Sequence, residues 1–350
     1  MNHPANFGSD NVSGVSPEIM AALEAANQGS AGAYGADAWT GRLAARFAEV
    51  FETEVAVFPV ATGSAANVLG LSMLTPRHGA IYCHAEAHIQ EDECGAPEFF
   101  TGAKLMPLNG PHAKLEPEVL AAALALTGSR PPHQVEPAAL SISQASELGA
   151  CYRPAEIAAL AEVTRGYGMA LHMDGARLAN ALAFLDCSPA DATWRAGVDV
   201  LSFGATKNGA MAAEAVVFFR PELAETFPYR RKQGGHLFSK MRFLSAQLEA
   251  YLSDDLWLRN ARQANAAAQQ LSAGLLQLPG AELGHPVEAN EIFMALPEAV
   301  VAGLEAEGQS FHRWPGGSAA KPLIRLVTAF NTTDAAVSDF IAAAGRQAAA

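Results

Sequence analysis

The chain has 350 residues, half of them apolar and only 17% charged, which excludes a disordered protein and fits one large domain or a large one plus a small one. A net charge of −13 argues against nucleic acid and anionic membrane as partners. Cys83, Cys94, Cys151 and Cys187 form no CxxC pair and are too few for a disulfide scaffold, so free thiols in a reducing compartment are expected.

The opening, MNHPANFGSDNVSG, has no basic stretch before an apolar run, so no signal peptide is expected. Charges interrupt the alanine-rich stretches before any could span a bilayer, and the expectation is a soluble cytoplasmic protein. Residues 1–45 read as an extended arm plus helices. From 46 to 240, short apolar runs alternate with helical stretches. VAVFPV (55–60) predicts a buried strand, followed by a helix, GSAANVLGLSML, that opens on Gly63 and Ser64. GAIYCH (79–84) and KLMPLN (104–109) predict strands, and LEPEVLAAALALTG a helix closed by Gly128. SRPPHQVEP reads as a surface loop. ALSISQ (139–144) predicts a strand, and RPAEIAALAEVTRGYG a helix with Pro154 near its start. MALHMD (169–174), VDVLSFG (198–204) and AVVFF (215–219) complete the strands. The rhythm predicts an α/β fold: a mostly parallel sheet with helices on both faces. From 241 to 350, one long helical region leads into a small α+β domain, with strands near 290–296 and 322–329 and a last helix from about 333.

Three segments carry chemistry. ATGSAAN (61–67) follows a strand and opens a helix, where free N–H groups and the helix dipole suit a phosphate. It lacks the GKS/T of a Walker loop and is not GxGxxG, which lowers nucleotide readings. Small residues at such a turn are also common for packing alone. In HMDGAR (172–177), Asp174 ends an apolar strand, where open α/β sheets bind ligands, with Arg177 close by. Asp174 could equally cap a helix. In SFGATKNG (202–209), Lys207 follows a buried strand among small residues, either as a solvated loop lysine or as a reactive one. Together the three fit pyridoxal 5′-phosphate (PLP). The lysine would form the Schiff base, the carboxylate would keep the pyridine nitrogen protonated, and the turn would hold the phosphate.

Over nearly its whole length the chain resembles the threonine aldolase group of the β-eliminating lyase family, enzymes of the PLP-dependent transferase-like fold (fold type I). NFGSDNVSGVSPEIMAAL, GAYGADAWTGRL, ATGSAAN, AHIQEDECGAPE, HMDGARLANA, ATKNG and RRKQGGHLF carry the resemblance in order and spacing. It implies Lys207 as Schiff-base lysine, Asp174 on the pyridine N–H, Gly63 and Ser64 on the phosphate, and His88 stacked on the ring. It implies Ser9, Arg177 and Arg325 on the substrate α-carboxylate, a role that suits the planar fork of arginine. Tyr34, for substrate, and Arg231, for cofactor, would reach the site from a neighbouring subunit, which implies a homodimer or homotetramer with sites at the subunit interface. The implied reaction is retro-aldol cleavage of threonine, allo-threonine or phenylserine to glycine and an aldehyde, with His88 or a water it holds taking the hydroxyl proton. Gly8 stands where the family commonly has arginine, and SQASELG (143–149) lacks the histidine many members carry there.

Other readings use the same residues. A β-lyase, racemase or aminotransferase would need the same lysine and carboxylate, and a binding module that has lost catalysis would need neither. His84 and His88 are four apart, but HAEAH is not HExxH, and no zinc site is expected. Glu91, Asp92 and Glu93 read as a solvated face, or as a group of which one orients His88.

Overall fold

The alternation of side chains along each strand decides what faces the site. The computed structural model describes residues 6–349; the first five residues of the expected arm lie outside these. The larger sheet holds β1 (Ala56–Val60), β2 (Gly79–His84), β3 (Lys104–Leu108), β4 (Glu136–Ser143), β5 (Ala170–Gly175), β6 (Val200–Gly204) and β7 (Glu214–Phe218). Their order is β1-β7-β6-β5-β4-β2-β3, and only β7 runs against the rest. As expected from the sequence, this mostly parallel sheet carries helices on both faces, and a small antiparallel sheet domain follows it.

The helices are α1 (Pro17–Ala26), α2 (Ala38–Phe51), α3 (Gly63–Leu74), α4 (His88–Glu91), α5 (Ala96–Thr101), α6 (Pro117–Leu126), α7 (Pro154–Gly166), α8 (Leu178–Leu185), α9 (Phe227–Gln233), α10 (Arg242–Tyr251), α11 (Leu256–Leu275), α12 (Glu298–Ala306) and α13 (Asp334–Ala348). Successive strand residues point to opposite faces. Leu171, Met173, Leu201 and Phe203 therefore join the larger core, with Leu43, Phe47 and Phe51 of α2 and Ile157 and Leu160 of α7. Burying each such side chain contributes about 1.5–3 kcal/mol. Val200 and Val216 face the other way, onto Ala65, Ala66 and Leu69 of α3. His172, Asp174 and Ser202 share that second face. A central helix buried along most of its length, α3 has no polar stripe, and its Asn67 is buried against the sheet.

The small sheet, β8 (Glu282–Leu283), β9 (Glu291–Ala295), β10 (His312–Ser318) and β11 (Lys321–Val327), has the order β10-β11-β9-β8 and is antiparallel throughout. Phe7 lies in its core, donating its N–H to Ser310 O and accepting from Val327 N. This anchor brings residues 9–12 between the two sheets.

Three sequence expectations meet a different chain path. The division at 45/46 falls inside α2, whose Leu43, Phe47 and Phe51 continue one buried face across it. The long helical region from 241 is two helices, broken where Asp254 and Asp255 adopt left-handed backbone. Its first half, α10, packs on α1 and α2 rather than on the small sheet. The small sheet also gains β10, which is exposed and glycine-containing and so carries no apolar alternation to read.

Candidate active site

A cavity of about 260 Å³ opens at the carboxyl ends of β4, β5 and β6 and the amino end of α3. It is lined by Gly63, Ser64, His88, Asp174, Arg177 and Lys207 among others, so these sequence-predicted residues meet on one wall. At the amino end of α3, Thr62 caps the helix by accepting from Ala65 N at 3.2 Å. Gly63 and Ser64 line the cavity at this helix end, where free backbone N–H groups suit an anion.

Asp174 is not a helix cap. It ends β5, its Oδ1 accepts from Ala176 N at 2.9 Å, and α8 begins only at Leu178. Its Oδ2 accepts from Asn67 Nδ2 at 2.7 Å. The same amide nitrogen donates to Glu93 Oε1 at 2.9 Å, and Glu93 Oε1 also meets His88 Nδ1 at 2.9 Å. A single chain of hydrogen bonds thus joins Asp174 to His88. Asn67 donates to Oε1, so this carboxylate oxygen acts as acceptor and His88 Nδ1 carries the proton. The hydrogen bond to Glu93 raises the His88 pKa against the effect of its partial burial. Glu93 is fully buried, whereas Glu91 and Asp92 are exposed; of the acidic cluster, one member orients the histidine.

Below Asp174, His172 sits between Ser141 Oγ and Ser202 Oγ, each 2.9 Å from a ring nitrogen. Burial holds its pKa down, to about 4, so the ring is neutral.

Lys207 follows β6 in a short 3₁₀ turn, Thr206–Asn208. Asn208 fixes the turn by donating to Tyr251 Oη (2.7 Å) and Trp257 O (2.8 Å). Gly209 has φ +113° and lies so close to Ser16 that a side chain would collide with its hydroxyl. Among the described residues Lys207 has no ion-pair partner, and it faces the cavity. Close to it, Glu214 accepts from Ala205 N at 2.7 Å, and burial pushes its carboxyl up to about 7.

The rim is a closed set of charges. Arg177 donates from Nε (2.9 Å) and Nη2 (3.1 Å) to Asp10, and its Nη1 lies 3.1 Å from Glu291. Arg325 reaches Glu291 Oε1 through Nη2 at 2.7 Å and Nε at 3.2 Å. Burial disfavours the ionised Asp10, but Arg177 and Lys207 outweigh it and hold the carboxyl below its usual range. Burial likewise works against the Arg177 charge, and Asp10 and Glu291 more than restore it.

Four predicted residues lie outside the cavity wall. Ser9 caps the turn at Asp10–Val12, and Asn11 lines the cavity instead. Arg325 stands behind Glu291, against Trp314. Tyr34 is exposed, with Lys232 over its ring. Arg231 is buried over Phe58, donates weakly to Pro59 O at 3.4 Å, and its Nε has no partner among the described residues. Sequence reasoning missed Asn67, Glu147, Glu214, Asp10 and Glu291. A buried amide in the otherwise apolar α3 was a readable signal; the others depend on long-range approach.

The chain matches the family model described as beta-eliminating lyase over residues 6–299. It is 45% identical over 337 residues to a low specificity L-threonine aldolase of a Pseudomonas species, covering 96% of each chain. A low specificity L-threonine aldolase of Pseudomonas aeruginosa is also 45% identical, over 91% of this chain and 92% of that one. Among solved structures, a Leishmania major threonine aldolase superposes with TM-score 0.93 at 27% identity, over 99% of this chain and all of the other.

Proposed function

The chain belongs to the β-eliminating lyase family, and from that premise we propose that it is a PLP-dependent carbon–carbon lyase. It cleaves L-β-hydroxy-α-amino acids such as threonine, allo-threonine and phenylserine to glycine and an aldehyde. The observation that carries this reading is the convergence of Lys207, Asp174, His88 and the Gly63–Ser64 turn on one cavity.

These residues fit the cofactor. The capped amino end of α3 suits a phosphate, a carboxylate held by Asn67 suits a pyridine N–H, and an unpaired lysine suits a carbonyl carbon. When bound, PLP supplies a ring that stabilises the negative charge left on the α carbon as the Cα–Cβ bond breaks. Lys207 would hold it covalently through Nζ. Asp174, kept in place by Asn67 Nδ2 and Ala176 N, would hold a proton on the pyridine nitrogen. His88 commits Nδ1 to Glu93, which leaves Nε2 as its available acceptor. Arg177 and Arg325 would orient the substrate carboxylate; Arg325 Nη1 is uncommitted among the described residues.

A second copy of the chain completes the site. The buried, unpartnered Nε of Arg231 and the exposed Tyr34 support this homodimer or homotetramer reading. Free cysteines support a cytoplasmic location, and no described helix is long and apolar enough to cross a membrane. The test is aldehyde and glycine release from threonine and phenylserine by the PLP-loaded protein. Equal amounts of both products are expected; conversion of the amino acid to a keto acid, with no aldehyde, would contradict the reading.

A further inference from the structure

The loop SQASELG lacks a histidine but places a carboxyl group in the cavity. Glu147 lines the wall next to Ser143, Asp174 and His88. Its Oε1 accepts two hydrogen bonds, from Ser143 Oγ and from His88 N (3.0 Å). The first residue is the register partner of Asp174, and the second begins α4. Glu147 is therefore fixed between His88 and the strand neighbour of Asp174. Its other oxygen, Oε2, is buried and has no hydrogen-bond partner among the described residues.

A buried acceptor left unmatched costs about 1–3 kcal/mol. Two events relieve it: uptake of a proton, or arrival of a donor from the ligand. Neither His88, whose Nδ1 is held by Glu93, nor Asn67, whose amide serves Asp174 and Glu93, turns a donor to it. The substrate class of the preceding section carries one such donor beyond its amino group, the β-hydroxyl.

We propose that Glu147 receives the β-hydroxyl proton of the substrate. The proposal rests on the lyase reading. The O–H bond breaks and its proton passes to Glu147 Oε2. The freed electron pair forms the aldehyde C=O, the Cα–Cβ bond breaks, and its pair remains on the α carbon. A proton returned through solvent to that carbon completes glycine and restores the carboxylate.

The surroundings suit a proton that comes and goes. Burial pushes the Glu147 carboxyl up to about 7, opposed by the bonds from Ser143 and His88 N and reinforced by the Asp174 charge. Besides Asp174 and His88, Tyr152 and Cys83 feel the Glu147 charge, and burial raises both of them too far to ionise at neutral pH. Cleavage should therefore fall as pH drops below about 7, where Glu147 is already protonated.

Glu147→Gln retains an acceptor for Ser143 and His88 N but cannot take a proton. Two reactions of the PLP-loaded variant separate the possibilities: threonine cleavage, and exchange of the glycine α-proton with D₂O followed by NMR. Exchange involves no β-hydroxyl and also reports that the variant is folded and loaded. The expected result is loss of about 10²-fold or more in cleavage, as for other general bases, with exchange largely kept. The acid limb of the pH profile should disappear, and Glu147→Asp should recover part of the rate. Full cleavage by Glu147→Gln overturns the proposal. So does a parallel loss of both reactions, which would make Glu147 a positioning group for His88. Wild-type protein that exchanges glycine but cleaves no β-hydroxy-α-amino acid would overturn the lyase reading itself, and with it this role.

Discussion

At the rim of the cavity, two guanidiniums and two carboxylates are matched: Arg177 and Arg325 share Asp10 and Glu291, and each carboxylate is almost wholly buried. On the floor, Glu147 and Glu214 are buried without a cation in direct contact, and both are pushed up to about 7. The same residue type thus does opposite work a short distance apart. Where a fixed cation lies in contact, as Arg177 does at Asp10, the carboxyl is held below its usual range and acts as scaffold. Where only neutral donors lie in contact, it titrates near neutral pH and can carry a proton. The rim is built where the two sheets meet, since Glu291 and Arg325 lie on strands of the small one and Arg177 follows β5 of the large one. The floor is built almost entirely from strand ends and α3 of the large sheet.

Substitutions should respect that division. Asp174→Ala removes the charge at the centre of the floor and should lower kcat by about 10²–10³, comparable to loss of one preorganised charge-stabilising group. Its melting temperature should change little by comparison; a large fall in stability with kcat nearly intact would erase the distinction between floor and rim. Glu291→Ala should do the reverse. It leaves the buried Arg177 and the half-buried Arg325 beside too little negative charge, and breaking a buried pair typically costs about 3–5 kcal/mol of stability. Denaturant unfolding checks this, and KM for the amino acid should rise as the two guanidiniums lose their alignment. The smallest effect is expected for Glu214→Gln. Between its ordinary value of 4.5 and about 7, the folded chain keeps a proton on Glu214 that the unfolded chain releases. Its contribution to stability therefore falls as pH rises through that window. Glutamine removes this dependence, so the variant's melting temperature relative to wild type should climb across the same window. A difference that stays flat with pH would show that Glu214 is ionised throughout.

The floor was more legible in the sequence than the rim. Asp174 stands near the end of an apolar strand, Lys207 lies in the turn just after one, and Gly63 and Ser64 open a helix after one; such patterns are local. The hydrogen bonds that give these residues their setting are not local. Asn67 lies 107 positions from Asp174 and 26 from Glu93, and no periodicity joins them. At the rim, Asp10 meets Arg177 across 167 positions, so a carboxylate already seated on the predicted carboxylate-binding arginine could not be foreseen. The small sheet was read in part for a related reason. β9 and β11 are apolar, but β10 is an exposed strand with a bulge between Trp314 and Gly317, and its pairing rather than its composition defines it. Glu147 was legible only as the residue standing in a loop without the expected histidine. Its setting depends on His88, 59 positions away.

The account depends most directly on Lys207 as the attachment point. The purified protein should be incubated with PLP, reduced with borohydride, digested and mapped by mass spectrometry. The account predicts a stoichiometric pyridoxyl-phosphate adduct on Lys207 alone, and for Lys207→Ala no such adduct and no turnover. An unmodified Lys207, or label scattered over surface lysines with turnover intact in Lys207→Ala, would contradict it.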